Sequence, residues 1–164
     1  MLESTQQQHR RTGFAVILLL LAVVALTHLI QSRRNEADGI GNGIRHLDRA
    51  LRVQPPLRIE ELHAAEQAFG AATGTLVIEP LAILGLELGE ELPRALGTPL
   101  PPTPTTLDDK AVAAHAQALL ARGKPQQALE FLGQPEVRRR TGRGLAVLEQ
   151  FAARWVEIRQ RGDK

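Results

Sequence analysis

An uninterrupted apolar run near the N-terminus constrains this chain more than any other feature of its sequence. It extends from Phe14 to Ile30, FAVILLLLAVVALTHLI, and its only ionisable side chain is His28. Arg10–Arg11 and Arg33–Arg34 flank it, and such charges prefer headgroups and water. As a helix, seventeen residues extend about 25 Å, close to the roughly 30 Å of a hydrocarbon core. We therefore expect a transmembrane helix over residues 14–32.

The same segment is open to a second interpretation, a cleaved signal peptide. Val23-Val24-Ala25 has the small-residue pattern of a cleavage site. The apolar run nevertheless continues beyond it to a double arginine, which favours a retained anchor. The preceding tail, residues 1–13, has three consecutive glutamines and no apolar periodicity, and we expect it to be disordered.

Two features of the sequence favour opposite orientations of the expected span. Lys and Arg number two before the span and four shortly after it, which favours a cytoplasmic C-terminal part. The chain also has the order of a signal anchor, in which a short basic tail precedes one span and a folded domain. This order favours a cytoplasmic tail and an extracytoplasmic C-terminal part. We expect a single-pass protein of a bacterial-type inner (cytoplasmic) membrane, with its C-terminal domain extracytoplasmic.

Composition points to an all-α fold. Cysteine is absent, which excludes disulfides, thiolate metal sites, iron–sulfur clusters and a cysteine nucleophile. Aromatic residues make up only 3% of the chain, while good helix formers dominate it, so the core is expected to consist of closely packed aliphatic helices. The 20 Lys and Arg nearly balance the 18 Asp and Glu, which argues against a nucleic-acid partner.

A first helical lobe is expected over residues 33–96. The glycine-rich GIGNG at 39–43 predicts a break after the anchor helix. Apolar spacing then predicts a helix over 44–53, which Pro55–Pro56 ends, and a second over 58–72.

Residues 75–96 admit two interpretations. Leu76-Val77-Ile78 is compatible with a short strand, but Pro80 followed by regularly spaced leucines favours a helix. The next segment, residues 97–107, carries four prolines and is expected to be an extended linker.

A helical hairpin and a final amphipathic helix are expected over residues 108–160. Asp108 is an N-cap candidate for the first helix, Gly123 ends it, and Pro125 begins the second. The last helix, over 141–159, has the most regular apolar stripe in the chain.

The hairpin AVAAHAQALLARGKPQQALEFL, residues 111–132, resembles the helical hairpin of tetratricopeptide repeats (TPR). The resemblance rests on Val112, Ala116, Leu119, Gly123, Ala128 and Leu132. A shorter echo, HLDRALRVQPP, occupies residues 46–56. The resemblance implies a TPR-like bundle whose surface binds another protein, in a class that rarely supplies catalytic groups.

Two sets of residues are candidates for partner contact. The apolar stripe of the last helix comprises Leu148, Phe151, Trp155 and Ile158, and packing of that face into the core is the alternative interpretation. A basic patch comprises Arg138, Arg139, Arg140 and Arg143, which suit anionic lipid or an acidic partner. No combination of residues indicates a catalytic, cofactor or metal site.

These features predict a membrane-anchored interaction scaffold or assembly subunit of a larger membrane complex, without enzymatic activity. Its expected partners are other membrane or periplasmic proteins, and the anchor contacts lipid. The alternative is a structural accessory subunit of a membrane enzyme, such as a respiratory, photosynthetic or secretion complex.

Overall fold

The computed structural model describes residues 2–73, 80–105, 107–139 and 143–162, with side chains from residue 19 onward except at 33, 36, 143 and 144. These residues form helices and no strand, so the all-α expectation is confirmed. The helices are α1 (Leu2–Arg52), α2 (Pro55–Ala72), α3 (Pro80–Leu96), α4 (Asp109–Leu120), α5 (Pro125–Leu132), α6 (Pro135–Arg138) and α7 (Arg143–Gly162).

Two compact units divide the chain, residues 1–35 and residues 36–164. In the first unit, α1 begins at Leu2, so residues 2–13 are part of this helix in the structure. The glutamines of this tail are good helix formers, which accounts for the helix.

The expected transmembrane helix over 14–32 is not supported by the described part of the chain. Of the helices formed by described residues, none is both long enough and apolar enough to cross a membrane. In this segment the described side chains begin at Leu19.

The glycine-rich segment 39–43 is helical, which corrects the predicted chain break. Glycine is a poor helix former, but here α1 needs it to approach α2 closely. A Cβ on Gly39 would lie 3.0 Å from the Ala68 carbonyl oxygen, and one on Gly43 would lie 2.6 Å from the ring of Phe69. Tertiary packing therefore overrides local propensity in this segment.

Phe69 occupies the contact among α1, α2 and α3. Its side chain is fully buried, and a Cβ on Gly85 of α3 would lie 2.4 Å from its ring. Gly43 of α1 lies against the same ring. The ring is thus held between two glycines, and residues with a Cβ do not fit at either position without a shift.

α1 ends before the proline pair, as the sequence predicts. The Arg58 side chain donates hydrogen bonds to the Ala50 carbonyl at 3.0 Å and to the Val53 carbonyl at 3.1 Å. These bonds satisfy carbonyls that the end of a helix leaves unpaired. The same side chain therefore holds α2 against the end of α1.

The ambiguous segment 75–96 is helical from Pro80 as α3, and the candidate strand Leu76-Val77-Ile78 lies outside the described residues. The proline-rich linker is not helical over its described residues. Its first turn is fixed by Arg122, which donates to the carbonyls of Thr98 at 3.1 Å and Pro99 at 2.8 Å.

The predicted hairpin is present as α4 and α5. Asp108 caps α4 by accepting a hydrogen bond from the Ala111 amide at 2.7 Å. Gly123 has a φ of 66° in the turn, a conformation that favours glycine. The short α6 that follows was not predicted, and α7 begins at Arg143 with residues 140–142 outside the described part.

One continuous core joins the helices of the second unit. It contains Ile44 and Leu47 of α1, and residues from each of the other helices. Phe151 links its two ends, because its ring centroid lies 6.2 Å from that of Phe69 and 6.0 Å from that of Trp155.

Candidate interaction surfaces

The predicted contact face of the last helix lies mostly in the core. Trp155 and Phe151 are 0% exposed, Leu148 is 3% exposed, and Ile158 is partly buried against the same core. This placement corresponds to the core-packing alternative. Leu148, Phe151 and Trp155 are therefore not available to a partner in this fold, whereas Ile158 borders a cleft between α1 and α7.

The predicted basic patch is not assembled into one described surface. Arg138 in α6 forms an ion pair with Glu149 at 3.0 Å, and Arg139 is exposed. Arg140 lies outside the described residues, as does the side chain of Arg143. An exposed ion pair of this kind contributes little stability.

A second basic surface, which the sequence did not single out, lies between α1 and α7. This arginine cleft has a volume of about 400 Å³ and is lined by six arginines and two carboxylates. The arginines are Arg45, Arg49, Arg52, Arg154, Arg159 and Arg161, and the carboxylates are Asp48 and Glu157. The cleft therefore carries a formal excess of four positive charges, more than the +2 of the whole chain.

Asp48 forms the floor of the arginine cleft and joins α1 to α7. It is 9% exposed and accepts hydrogen bonds from Trp155 Nε1 at 2.9 Å and Arg159 Nε at 2.5 Å. Its other carboxylate oxygen pairs with Arg52 at 2.7 Å. The Arg159 guanidinium also lies 5.6 Å from the centroid of the Trp155 ring. The buried carboxylate is thus fully paired, as burial of a charge requires.

Glu157 lies on the α7 side of the cleft and is partly exposed. It accepts from Arg154 at 3.1 Å and from Arg161 at 2.6 Å. Both carboxylates of the cleft are therefore engaged within the chain, and they pair with four of the six guanidinium groups. Arg49 is exposed and has no carboxylate within ion-pair distance among the described residues.

An apolar groove of about 460 Å³ separates α2 from α3. Its floor consists of Leu62, Ala65, Gly85 and Leu86, and its rim carries Ile59, His63, Glu66 and Glu90. Ile59 is 60% exposed at this rim. His63 lies 3.5 Å from Glu66 at this rim.

His115 is the one buried histidine of the described residues. It is 7% exposed, its ring meets that of Phe131 edge-on at 4.7 Å, and no described residue pairs with its Nδ1. Desolvation lowers the pKa of His115 below the ordinary imidazole value, although a hydrogen bond with the backbone of Pro102 opposes this shift. No group of three metal-ligating side chains occurs in the described ranges.

The arginine cleft leaves a partial signal in the sequence. Arg45, Arg49 and Arg52 follow an i, i+4, i+7 spacing that places them on one helix face. Arg154 and Arg161 are also seven residues apart. The sequence does not show that these two rows of arginines lie side by side, because their helices are about a hundred residues apart in the chain.

No protein family, characterised protein or solved structure shows significant similarity to this chain. The resemblance of residues 111–132 to TPR hairpins therefore stays a prediction, supported by a helical hairpin in the expected place.

Proposed function

We propose that this chain is a membrane-attached interaction subunit in which residues 14–32 provide the attachment and the helical unit of residues 36–164 binds other proteins. The observation that carries the proposal is the exposure of the apolar run. Between residues 19 and 30, eight large apolar side chains are 49% to 67% exposed. They are Leu19, Leu20, Leu21, Val23, Val24, Leu26, Leu29 and Ile30.

Such exposure favours an apolar environment around this segment, as a membrane or another protein provides. Burying one Leu, Val or Ile side chain contributes about 1.5–3 kcal/mol, and contiguous apolar patches of this size mark membrane or protein contacts. Residues 14–18 extend the run to seventeen. The flanking arginines suit both headgroup regions.

Contact with other proteins, rather than catalysis, is the proposed role of the second unit. Its arginine cleft and apolar groove are both exposed, and neither places a nucleophile beside a general base. The described titratable group with a shifted pKa, His115, packs in the interior away from both surfaces. A TPR-like role for the hairpin α4–α5 is part of the same proposal.

The attachment is tested by fractionating cells that express the full chain. We expect the protein to sediment with membranes through an alkaline wash and to be released only by detergent. The double variant Leu20→Arg/Val24→Arg should be released without detergent, because each arginine within a membrane span costs about 3 kcal/mol. The matched control is Leu57→Arg/Leu96→Arg, which makes the same change at exposed positions of α2 and α3 and should sediment like the wild type. Wild-type protein in the detergent-free supernatant would refute attachment.

Partner binding is tested by purifying the tagged full chain in mild detergent. A stoichiometric complex with another protein supports the proposal, and a cofactor-bearing enzyme in that complex identifies the accessory-subunit alternative. Isolation of the chain alone at every detergent and salt concentration contradicts an interaction role. Protease treatment of sealed vesicles reports the side of the membrane on which the second unit lies, which we propose to be extracytoplasmic.

A further inference from the structure

We propose that the arginine cleft between α1 and α7 binds an acidic segment of a partner protein, in which carboxylates project from successive turns of one helix. The inference rests on the proposed function in one respect, that the occupant is a protein. It adds the chemistry by which that protein is recognised.

The charge of the cleft is the first argument. Six arginines face two carboxylates, and both carboxylates are already paired within the chain, Asp48 with Arg52 and Arg159, Glu157 with Arg154 and Arg161. The excess positive charge is therefore not neutralised inside the described protein. A concave basic surface concentrates the field and attracts anions more strongly than a flat surface of equal charge.

The arrangement of the arginines is the second argument. Arg45, Arg49 and Arg52 extend along α1 for about 10 Å at 1.5 Å per residue, and Arg154 and Arg161 cover the same length on α7. A single phosphate or headgroup meets only part of such an array. Carboxylates at i and i+4 on a helix lie about 6 Å apart, which matches the spacing of Arg45 and Arg49.

The internal ion pairs are the third argument, because they prepare the cleft for binding. Asp48 is buried and holds Arg159 from below, while Arg159 also packs against Trp155. A guanidinium group has five N–H donors, so each held arginine keeps donors for a second carboxylate. Because Asp48 and Trp155 hold Arg159 in the free protein, binding a carboxylate there costs less side-chain entropy.

Arg45 and Arg49 are the residues to change, because both are exposed and neither contacts Asp48. Among the described residues, the hydrogen bond of the Arg45 side chain goes to Asn42, one turn earlier in α1, at 2.5 Å. The double variant Arg45→Glu/Arg49→Glu should therefore fold normally while reversing the charge of one wall. The matched control, Arg94→Glu/Lys110→Glu, makes the same change in net charge at exposed positions outside the cleft.

The experiment measures binding of a fluorescent alanine-based helical peptide with glutamates at i, i+4 and i+7 to the full chain in detergent. The wild type should bind it, more weakly as NaCl rises from about 50 to about 300 mM, and the Arg45→Glu/Arg49→Glu variant should bind at least about tenfold more weakly. The control variant and circular dichroism of both variants should match the wild type. The same peptide with glutamine in place of glutamate should not bind.

Three outcomes overturn the inference. The first is no binding of the glutamate peptide by the wild type at low salt. The second is equal weakening in both charge-reversed variants. The third is displacement of the peptide by inorganic phosphate, or by vesicles containing an anionic phospholipid, when the competitor supplies a lower concentration of negative charge than the peptide does. That result would assign the cleft to the competing anion.

The proposed function and this inference fail separately. Capture of a stoichiometric partner by the Arg45→Glu/Arg49→Glu variant as well as by the wild type overturns the role of the cleft and leaves the proposed function intact. Peptide binding by a chain that captures no protein and needs no detergent overturns the proposed function and leaves the anion chemistry of the cleft intact.

Discussion

Alanine substitutions at Gly41 and Gly43 of α1 are expected to change the stability of the fold in opposite directions. A Cβ at position 43 would lie 2.6 Å from two atoms of the Phe69 ring, whereas a Cβ at position 41 meets no atom within 4 Å. Both positions are helical and only two residues apart, so the same substitution carries the same intrinsic helix preference at each. The difference between the two variants therefore reports packing alone.

The magnitude follows from two opposing terms. Alanine is favoured over glycine inside a helix by about 1 kcal/mol, so Gly41→Ala should raise the free energy of unfolding by about that amount. Overpacking a core costs about 1–3 kcal/mol, and the upper part of that range applies because Gly85 blocks the other side of the Phe69 ring. Gly43→Ala should therefore lower the free energy of unfolding by about 2 kcal/mol.

The assay is thermal unfolding of the full chain in detergent, followed by circular dichroism. The two variants should differ by about 3 kcal/mol, which corresponds to about 10 °C in Tm for a unit of this size. The double variant Gly43→Ala/Phe69→Leu should be more stable, by about 1 kcal/mol or more, than the sum of the two single effects predicts. The reason is that the smaller leucine side chain relieves the contact with the new Cβ. Equal effects at positions 41 and 43 would refute the packing role of the glycines, as would purely additive effects of Gly43→Ala and Phe69→Leu.

Two further variants test the interior of the second unit. Burial lowers the pKa of His115 in the folded state, so the unfolded state binds more protons and stability should fall as the pH drops below about 6.5 and stay constant with respect to this group above it. His115→Leu should flatten this dependence in denaturant titrations at several pH values, and an unchanged slope would contradict the assignment. Trp155→Phe removes the hydrogen bond to Asp48 and should lower the free energy of unfolding by about 1–3 kcal/mol, measured by denaturant titration. An unchanged transition midpoint would show that this bond contributes nothing.

Local sequence signals located much of the fold. The turn at Gly123, the cap at Asp108 and the helix start at Pro125 are each decided by neighbouring residues, and the structure has them where the sequence predicts. The segment 39–43 could not be interpreted in this way, because its glycines serve contacts with Phe69 and Ala68 in another helix. A glycine that ends a helix and one that permits close packing are the same residue in the sequence.

The candidate surfaces also depend on contacts between helices that the sequence does not reveal. The stripe containing Trp155 is evident from its periodicity, but periodicity does not state whether an apolar face meets the core or a partner. The arginine cleft requires knowing that Asp48 lies under Arg159, and that contact depends on the whole intervening chain. Single-helix features were therefore predictable, and features shared by two distant helices were not.

The hydrogen bond from Trp155 to Asp48 joins residues 107 positions apart, which bears on how the protein is made in the cell. At a synthesis rate of about 5–20 residues per second, α7 follows the end of α1 by roughly 5–20 s. Throughout that interval the apolar face of α1 and the carboxylate of Asp48 have no partner from α7. The core around Trp155 therefore closes only after the last helix has been synthesised.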